Sequence, residues 1–177
     1  MDSLTAMEDF TNETIDTTSL PRYETVALTK LHPNYWKEIL LSRGILLLLV
    51  GIALTVAIIF IEEIAENNWL FITAYILFVL FFLLFAYIGF KKKAYAFRNH
   101  DVIFRSGIIA TNTMVIPYNR VQHVALHEGF IARFFGLAKV EIFTAGGVSS
   151  DIEIPGIAKE EAENIKQLLM GKIQKQL

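Results

Sequence analysis

Residues 44–61 read GILLLLVGIALTVAIIFI and residues 69–90 read WLFITAYILFVLFFLLFAYIGF, and neither run contains a charged residue. As helices of 18 and 22 residues, at 1.5 Å per residue, they would be roughly 27 and 33 Å long, close to the thickness of a bilayer's hydrocarbon core. Helices of this length without a polar face have no polar surface that could contact water, which argues against two core helices of a soluble domain. The sequence therefore predicts a hairpin of two transmembrane helices, 44–61 and 69–90.

The charges that flank the two runs predict the orientation of the hairpin. The connecting loop, residues 62–68, has three acidic residues and no basic one, whereas Lys37 and Arg43 precede the first run and three lysines follow the second. Because basic flanks stay in the cytoplasm, we expect a multi-pass protein of the bacterial cytoplasmic (inner) membrane with both termini inside. The runs lack the ionisable residues that pumps and proton relays use, which disfavours transport.

The composition agrees with this location and excludes several kinds of site. Of the 177 residues, 54% are hydrophobic and 19% are charged, which is more apolar than is usual for a soluble domain. Cysteine is absent, so disulfides, thiol nucleophiles and thiolate metal ligands are excluded. A net charge of −2 gives no overall attraction to nucleic acid.

The segment before the hairpin has two parts. Residues 1–20 contain five acidic residues and no basic residue, and we expect residues 1–30 to form a disordered acidic tail. From Leu31 the pattern changes, because Pro33 suits the first turn of a helix and aromatic and apolar residues then recur on one face. Residues 31–43 are therefore predicted to be an interfacial lead-in helix.

Residues 91–177 are predicted to form a separate cytoplasmic domain of class α+β. Short alternating patterns, separated by turn residues, indicate antiparallel strands at 94–98, 102–105, 108–116, 121–127, 140–144 and 150–154. From Ala158 to about Lys175 the period becomes helical, with acidic residues in the first turn and basic residues in the last. We expect this C-terminal helix to cover the sheet.

The same residues resemble a known family. RSGII (105–109), IPYNRVQHV (116–124), FFGLA (134–138), TAGG (144–147) and IPGI (154–157), together with the LHP entry (31–33) and the paired spans, are similar to the bacterial pleckstrin-homology-like (PH-like), membrane-flanked domains of the YdbS-like family. The resemblance implies an antiparallel β-roll capped by a C-terminal helix and tethered to the membrane. It also implies assembly with larger relatives that carry several such domains, and a role in envelope stress or antimicrobial tolerance.

Lipid binding is the first functional question that this resemblance raises. PH domains that bind phosphoinositides use clustered basic residues on the loop between the first two strands, but here that loop is Asn99-His100-Asp101. Lys91, Lys92 and Lys93 form the basic cluster that remains. They are candidate membrane-surface contacts, although the orientation of the hairpin alone would also explain them.

The segment from Gly129 to Gly136 has two interpretations. Its three phenylalanines and one arginine could contact the bilayer or a partner helix, or they could form a short helix whose rings close the open end of the roll, which is how aromatic stripes usually pack. The candidate partner or bilayer contacts in the domain are Arg120, Gln122, Phe130, Arg133 and Phe134.

No pattern predicts catalysis, a cofactor or a metal site. His123 and His127 would share a strand face, but positions four apart on a strand are about 13 Å apart, too far to bind one ion. The chain is therefore predicted to be a non-enzymatic module that assembles with other membrane proteins. The alternative is a domain that binds anionic lipid or senses envelope stress; an enzyme would need a polar cleft that the sequence does not indicate.

Overall fold

The computed structural model describes residues 14, 16, 18, 22–145 and 152–174. After a 3₁₀ turn at Tyr23–Thr25, the described chain has a short strand, β1 (Thr29–Lys30), and three helices: α1 (Asn34–Phe60), α2 (Glu62–Glu66) and α3 (Asn68–Lys92). The domain that follows contains β2 (Ala94–Phe97), β3 (Asp101–Ser106), β4 (Asn112–Pro117), β5 (Val121–His127), α4 (Phe130–Phe134), β6 (Leu137–Thr144), β7 (Ile152–Ala158) and α5 (Lys159–Gln174).

Helices α1 and α3 form the predicted hairpin. They have 27 and 25 residues. In the most apolar 18-residue stretch of each helix, only 6% of the stretch is buried inside the protein, so nearly the whole apolar surface faces outward. Between the helices, the Tyr75 hydroxyl donates a hydrogen bond of 2.6 Å to the Leu47 carbonyl. Two long helices whose apolar side chains are left uncovered require lipid around them, and the transmembrane hairpin is confirmed.

Helix α1 begins earlier than the predicted span and carries an arginine alongside the apolar run of α3. The predicted lead-in helix 31–43 is not separate, because α1 runs without a break from Asn34. Arg43 donates a 3.4 Å hydrogen bond to the Phe82 carbonyl, and its guanidinium lies 4.8 Å from the centre of the Phe82 ring. Phe82 lies about 12 Å from the end of the apolar run at Phe90, so Arg43 is a snorkelling residue rather than an outer flank.

Two antiparallel sheets and one helix build the domain. The first sheet has the order β1-β2-β3-β4 and the second has the order β5-β6-β7. Helix α5 contributes buried Ala162, Ile165 and Leu169 to the core, where they join Val140, Ile142 and Ile154 of the second sheet. The α+β architecture, a roll capped by the C-terminal helix, is confirmed.

Several strand boundaries differ from the prediction. The predicted strand 108–116 begins only at Asn112, because Gly107 has a φ of 126° and opens a turn so tight that a Cβ there would lie 1.9 Å from the Ala110 carbonyl oxygen. The predicted strand 150–154 corresponds to β7, which continues to Ala158. Residues 150 and 151, the glycines of the predicted 145–147 turn, and Lys175 lie outside the described residues.

The domain also includes residues that the sequence assigns to the tail. Thr29 pairs with Tyr95 and Lys30 pairs with Ala94, and the next residue, Leu31, is a core residue with 5% of its surface exposed. The predicted tail boundary at residue 30 is thus corrected to a position before Thr29. Pairing with a strand more than sixty residues away has no local signature. Residues 1–13, 15, 17 and 19–21 of the predicted tail lie outside the described residues.

A glycine of β7 joins the domain to the hairpin. The His32 amide donates a 2.9 Å hydrogen bond to the Gly156 carbonyl, and the Tyr35 ring packs directly on Gly156. A Cβ at residue 156 would lie 2.2 Å from Tyr35 Cγ. The domain is therefore packed onto the first turn of α1 as well as connected to the end of α3.

Tyr95→Phe should lower the free energy of unfolding by about 1 kcal/mol, because it removes the 2.7 Å hydrogen bond from the Tyr95 hydroxyl to Glu161 of α5. Burial, followed by the Glu161 interaction, raises the pKa of Tyr95. The stabilisation should thus be complete below the ordinary phenol pKa of about 10 and decline as the pH rises further. Denaturant unfolding in detergent at several pH values measures both effects.

Tyr23→Phe is the matched control, since 40% of Tyr23 is exposed and its hydroxyl makes no hydrogen bond with the described residues. Equal unfolding free energies for both variants at neutral pH would contradict the role of the Tyr95 hydroxyl.

Candidate functional site

The strands run alternately away from the bilayer and back toward it. Strand β2 begins at Ala94, directly after α3 ends at Lys92, so it leads away from the membrane and β3 returns. By the same alternation, the turn at 107–111 and the segment from Glu128 to Gly136 lie at the membrane end of the domain. The turn at 98–101 and the 3₁₀ turn Tyr118–Arg120 lie at the far end.

The three predicted lysines do not form one cluster. Lys91 and Lys92 are exposed; the Lys91 ammonium lies 5.5 Å from the centre of the Tyr87 ring, and Lys92 hydrogen-bonds the Ile108 carbonyl. Lys93 turns inward and lines a cavity. Only Lys91 and Lys92 have the placement expected of membrane-surface contacts.

Arg120 and Gln122 are exposed at the far end of the domain. The seven residues of β5 separate this end from α4 by roughly 23 Å at 3.3 Å per residue. The loop Asn99-His100-Asp101 is at the far end too: Arg98 is ion-paired with Asp101, and Lys172 donates a 3.0 Å hydrogen bond to the Asn99 carbonyl. This loop is therefore both poor in positive charge and directed away from the bilayer.

Helix α4 exposes its aromatic rings. The exposed fractions of Phe130 and Phe134 are 91% and 80%, and Arg133 is exposed as well. The interpretation in which the aromatic rings close the open end of the roll is wrong for Phe130 and Phe134; the third ring, Phe135, is half-buried. Helix α5 covers the core instead. The sequence could not show this, since a five-residue helix has the same pattern whether its rings face a core or a bilayer.

Helix α4 lies beside the hairpin, at the membrane end of the domain. It contacts α1, and Ala132 lines the same cavity as Tyr35 and Glu38 of α1. Phe130 and Phe134 are each two residues from Ala132, so they lie about 160° around the helix axis from the cavity side.

A second apolar side chain is exposed at this level, on the turn after β3. Ile109 is 92% exposed, and its neighbour Ile108 packs against α3, where a Cβ at Gly89 would lie 3.4 Å from Ile108 Cδ1. We name Ile109, Phe130 and Phe134 the apolar rim of the domain.

Between the hairpin and the two sheets lies a cavity of about 530 Å³, lined by both polar and apolar residues. This volume is typical of small-molecule sites. Helix α1 and the residue after α3 contribute Tyr35, Glu38 and Lys93, and the remaining polar side chains come from the ends of four strands: Ser106, His127, Lys139 and Glu153. Apart from Lys93, and His127 as a metal ligand that strand spacing disfavoured, the sequence did not single these residues out, because they lie on elements that meet only in the tertiary structure.

Some charged side chains of the cavity form ion pairs and others do not. Lys139 is ion-paired with Glu141 and, at 3.0 Å, with Glu153, and hydrogen bonding to Glu141 raises the pKa of Lys139. Burial, followed by repulsion from Arg43, lowers the pKa of Lys93. Among the described residues, neither Lys93 nor Glu38 has an ion-pair partner. The Lys93 ammonium lies 5.9 Å from the centre of the Tyr35 ring, and the more distant Glu153 favours its charged form.

The described residues of the cavity do not place a nucleophile within hydrogen-bond distance of a general base. Ser106 and His127 both line it, but no hydrogen bond joins them in the described structure. His123 is elsewhere, stacked on Phe143 with ring centres 4.1 Å apart. Within the described residues, no group of three or more histidine, aspartate or glutamate side chains could hold a metal ion.

Comparisons with known proteins agree with the fold. The model of the family described as Bacterial PH domain matches residues 44–173. The UPF0699 transmembrane protein YdbS of Bacillus subtilis (strain 168) is 34% identical over 76 residues, which are 43% of this chain and 46% of that relative. The UPF0699 transmembrane protein YdbT of the same organism is 33% identical over 97 residues, 53% of this chain and 20% of that relative.

The chain thus spans less than half the length of the first relative and a fifth of the second. No solved structure gives a significant match.

Proposed function

The chain belongs to the bacterial PH-domain family, and on that basis we propose that it is a non-enzymatic module, anchored in the bacterial cytoplasmic membrane, that assembles with other membrane proteins. The partner is a larger relative of the same family, and the complex serves envelope stress or antimicrobial tolerance. Lys37 and Lys91 to Lys93 support a cytoplasmic domain with both termini inside.

The observation that carries this proposal is the rigid placement of the domain. Strand β1, buried Leu31 and the contact between Tyr35 and Gly156 hold the domain against the hairpin. Its far end, which carries Arg120 and Gln122, is thereby held at a constant height above the bilayer. A surface presented at constant height suits a second protein anchored in the same membrane, since both partners are already confined and oriented.

The length of the relatives supports the identity of the partner. The matched segment is only 20% of the YdbT chain, so that protein has ample further sequence with which to contact this one. The cavity residues form no evident catalytic pair, which supports a binding role rather than an enzymatic one.

Arg120→Glu should reduce co-purification of the larger relative from native membranes by about tenfold, because a buried interfacial charge reversal typically costs more than 1.4 kcal/mol. The measurement is quantitative mass spectrometry of the complex extracted in mild detergent. Lys166→Glu, which makes the same charge change on the exposed side of α5, is the control and should leave recovery unchanged. Equal recovery with both variants, or a wild-type protein that is always extracted alone, would refute the proposal.

Lys91 and Lys92 favour a second candidate function, the binding of anionic lipid at the bilayer surface. Both ammonium groups are exposed at the end of α3, where each basic residue contributes about 1 kcal/mol of attraction to an anionic leaflet. Selective retention of an anionic lipid over a zwitterionic one by the purified protein would support this function.

A further inference from the structure

In the described part of the chain, the cavity between hairpin and domain contains one lysine and one glutamate that form no ion pair. Its four lysine and glutamate side chains are Lys93, Lys139, Glu38 and Glu153. Lys139 is paired with Glu141 as well as Glu153. By contrast, Lys93 interacts with Glu153 only through a longer-range attraction, and Glu38 has no cation partner among the described residues. A ligand that carries both a negative and a positive group would satisfy these two side chains, whereas a purely anionic ligand would face two carboxylates.

The position of the cavity indicates where such a ligand comes from. Glu38 lies about 7 Å along α1 from the snorkelling Arg43, on the domain side, and Lys93 is the first residue after α3. By helix rise, Glu38 lies about 5 Å short of the level of Phe90 and Lys93 lies about 5 Å beyond it. The cavity therefore spans the boundary between the hydrocarbon core and the headgroup layer. The apolar rim, Ile109, Phe130 and Phe134, lies at the same level.

We propose that this cavity binds the headgroup of a zwitterionic phospholipid, with its phosphate at Lys93 and its ammonium at Glu38. The acyl chains remain in the leaflet beside α1 and the apolar rim. A primary ammonium donates hydrogen bonds to a carboxylate and a quaternary one does not, so the site selects ethanolamine over choline headgroups. The inference is independent of protein assembly, because it concerns the membrane end of the domain and not Arg120.

The pKa of Lys93 agrees with a phosphate ligand. Burial and the nearby Arg43 lower that pKa in the protein, which is an electrostatic cost of keeping Lys93 charged. A phosphate beside the ammonium offsets this cost, and charge-assisted hydrogen bonds to phosphate are among the stronger ones.

The test uses the whole chain in detergent and native mass spectrometry with three added lipids: phosphatidylethanolamine, phosphatidylcholine and phosphatidylglycerol. Wild-type protein should bind phosphatidylethanolamine about tenfold more tightly than either of the others. Lys93→Gln should weaken phosphatidylethanolamine binding about tenfold, and Lys93→Arg, which keeps the charge, should restore it. Glu38→Gln should abolish the preference for ethanolamine over choline headgroups.

Lys37→Gln and Glu160→Gln are the matched controls, because both side chains are exposed and neither lines the cavity. Phosphatidylglycerol that binds as tightly as phosphatidylethanolamine would overturn the proposal and favour anionic-lipid binding at Lys91 and Lys92 instead. An ethanolamine preference that survives in Glu38→Gln would also overturn it. Soluble phosphoethanolamine is the last arm. Binding of this soluble compound as tight as that of the lipid would overturn the assignment to a membrane ligand.

Discussion

Gly156→Val is expected to lower the free energy of unfolding by about 2–5 kcal/mol and to separate the domain from the hairpin. Gly156 has a φ of 64°, a conformation that costs a residue with a Cβ about 1–2 kcal/mol. The new Cβ would lie 2.2 Å from Cγ and 2.5 Å from Cβ of Tyr35, and overpacking of this kind costs about 1–3 kcal/mol. Thermal and denaturant unfolding of the detergent-solubilised protein measures the loss.

Gly171→Ala is the matched control for this substitution. Nothing lies within 4 Å of a Cβ built at Gly171, and alanine is favoured over glycine in a helix interior by about 1 kcal/mol, so this variant should be equally or more stable. Tyr35→Ala in the Gly156→Val background should recover the overpacking part of the loss but not the backbone part. A Gly156→Val protein as stable as the wild type would show that the packing of Tyr35 on β7 is absent in solution.

The double variant Phe130→Ser with Phe134→Ser is expected to release α4 from the bilayer surface. Burial of one phenylalanine side chain is favourable by about 1.5–3 kcal/mol, so loss of both should cost about 3 kcal/mol or more of α4–membrane interaction. In lipid nanodiscs, amide hydrogen exchange of residues 130–134 should then accelerate on the order of 100-fold, because 1.4 kcal/mol corresponds to a factor of ten.

Leu168→Ser with Met170→Ser is the control for this loss of apolar surface. These side chains of α5 are 46% and 42% exposed and lie in the part of α5 that runs away from the bilayer. Exchange of residues 130–134 should stay as in the wild type. Fast exchange of α4 in the wild-type nanodisc would contradict bilayer contact of the apolar rim.

The predicted site residues separate into two groups once the strands are placed. Phe130, Arg133 and Phe134 lie at the end of the domain beside the hairpin, whereas Arg120 and Gln122 lie a strand's length away, so one surface could not include all five. Residues 121–127 were correctly predicted as a strand, but a strand pattern does not say which of its ends faces the membrane. That depends on the direction in which β2 leaves α3 and on each later reversal of the chain.

The sequence by itself determined the hairpin, most of the strands of the roll and the C-terminal helix, since each depends on the pattern of apolar residues along a few consecutive turns or strand positions. The orientation predicted from the basic flanks rests on equally local information.

Only the tertiary structure decided where the domain begins, how it is held on α1 and where its cavity lies. Thr29 with Tyr95, Tyr35 with Gly156, and Glu38 with Lys93 come from positions 55 to more than 120 residues apart. In none of these pairs does the local sequence around either residue predict the contact. Such contacts form only when the core of the roll and the hairpin pack together, so their energies and their shared cavity belong to the folded chain as a whole.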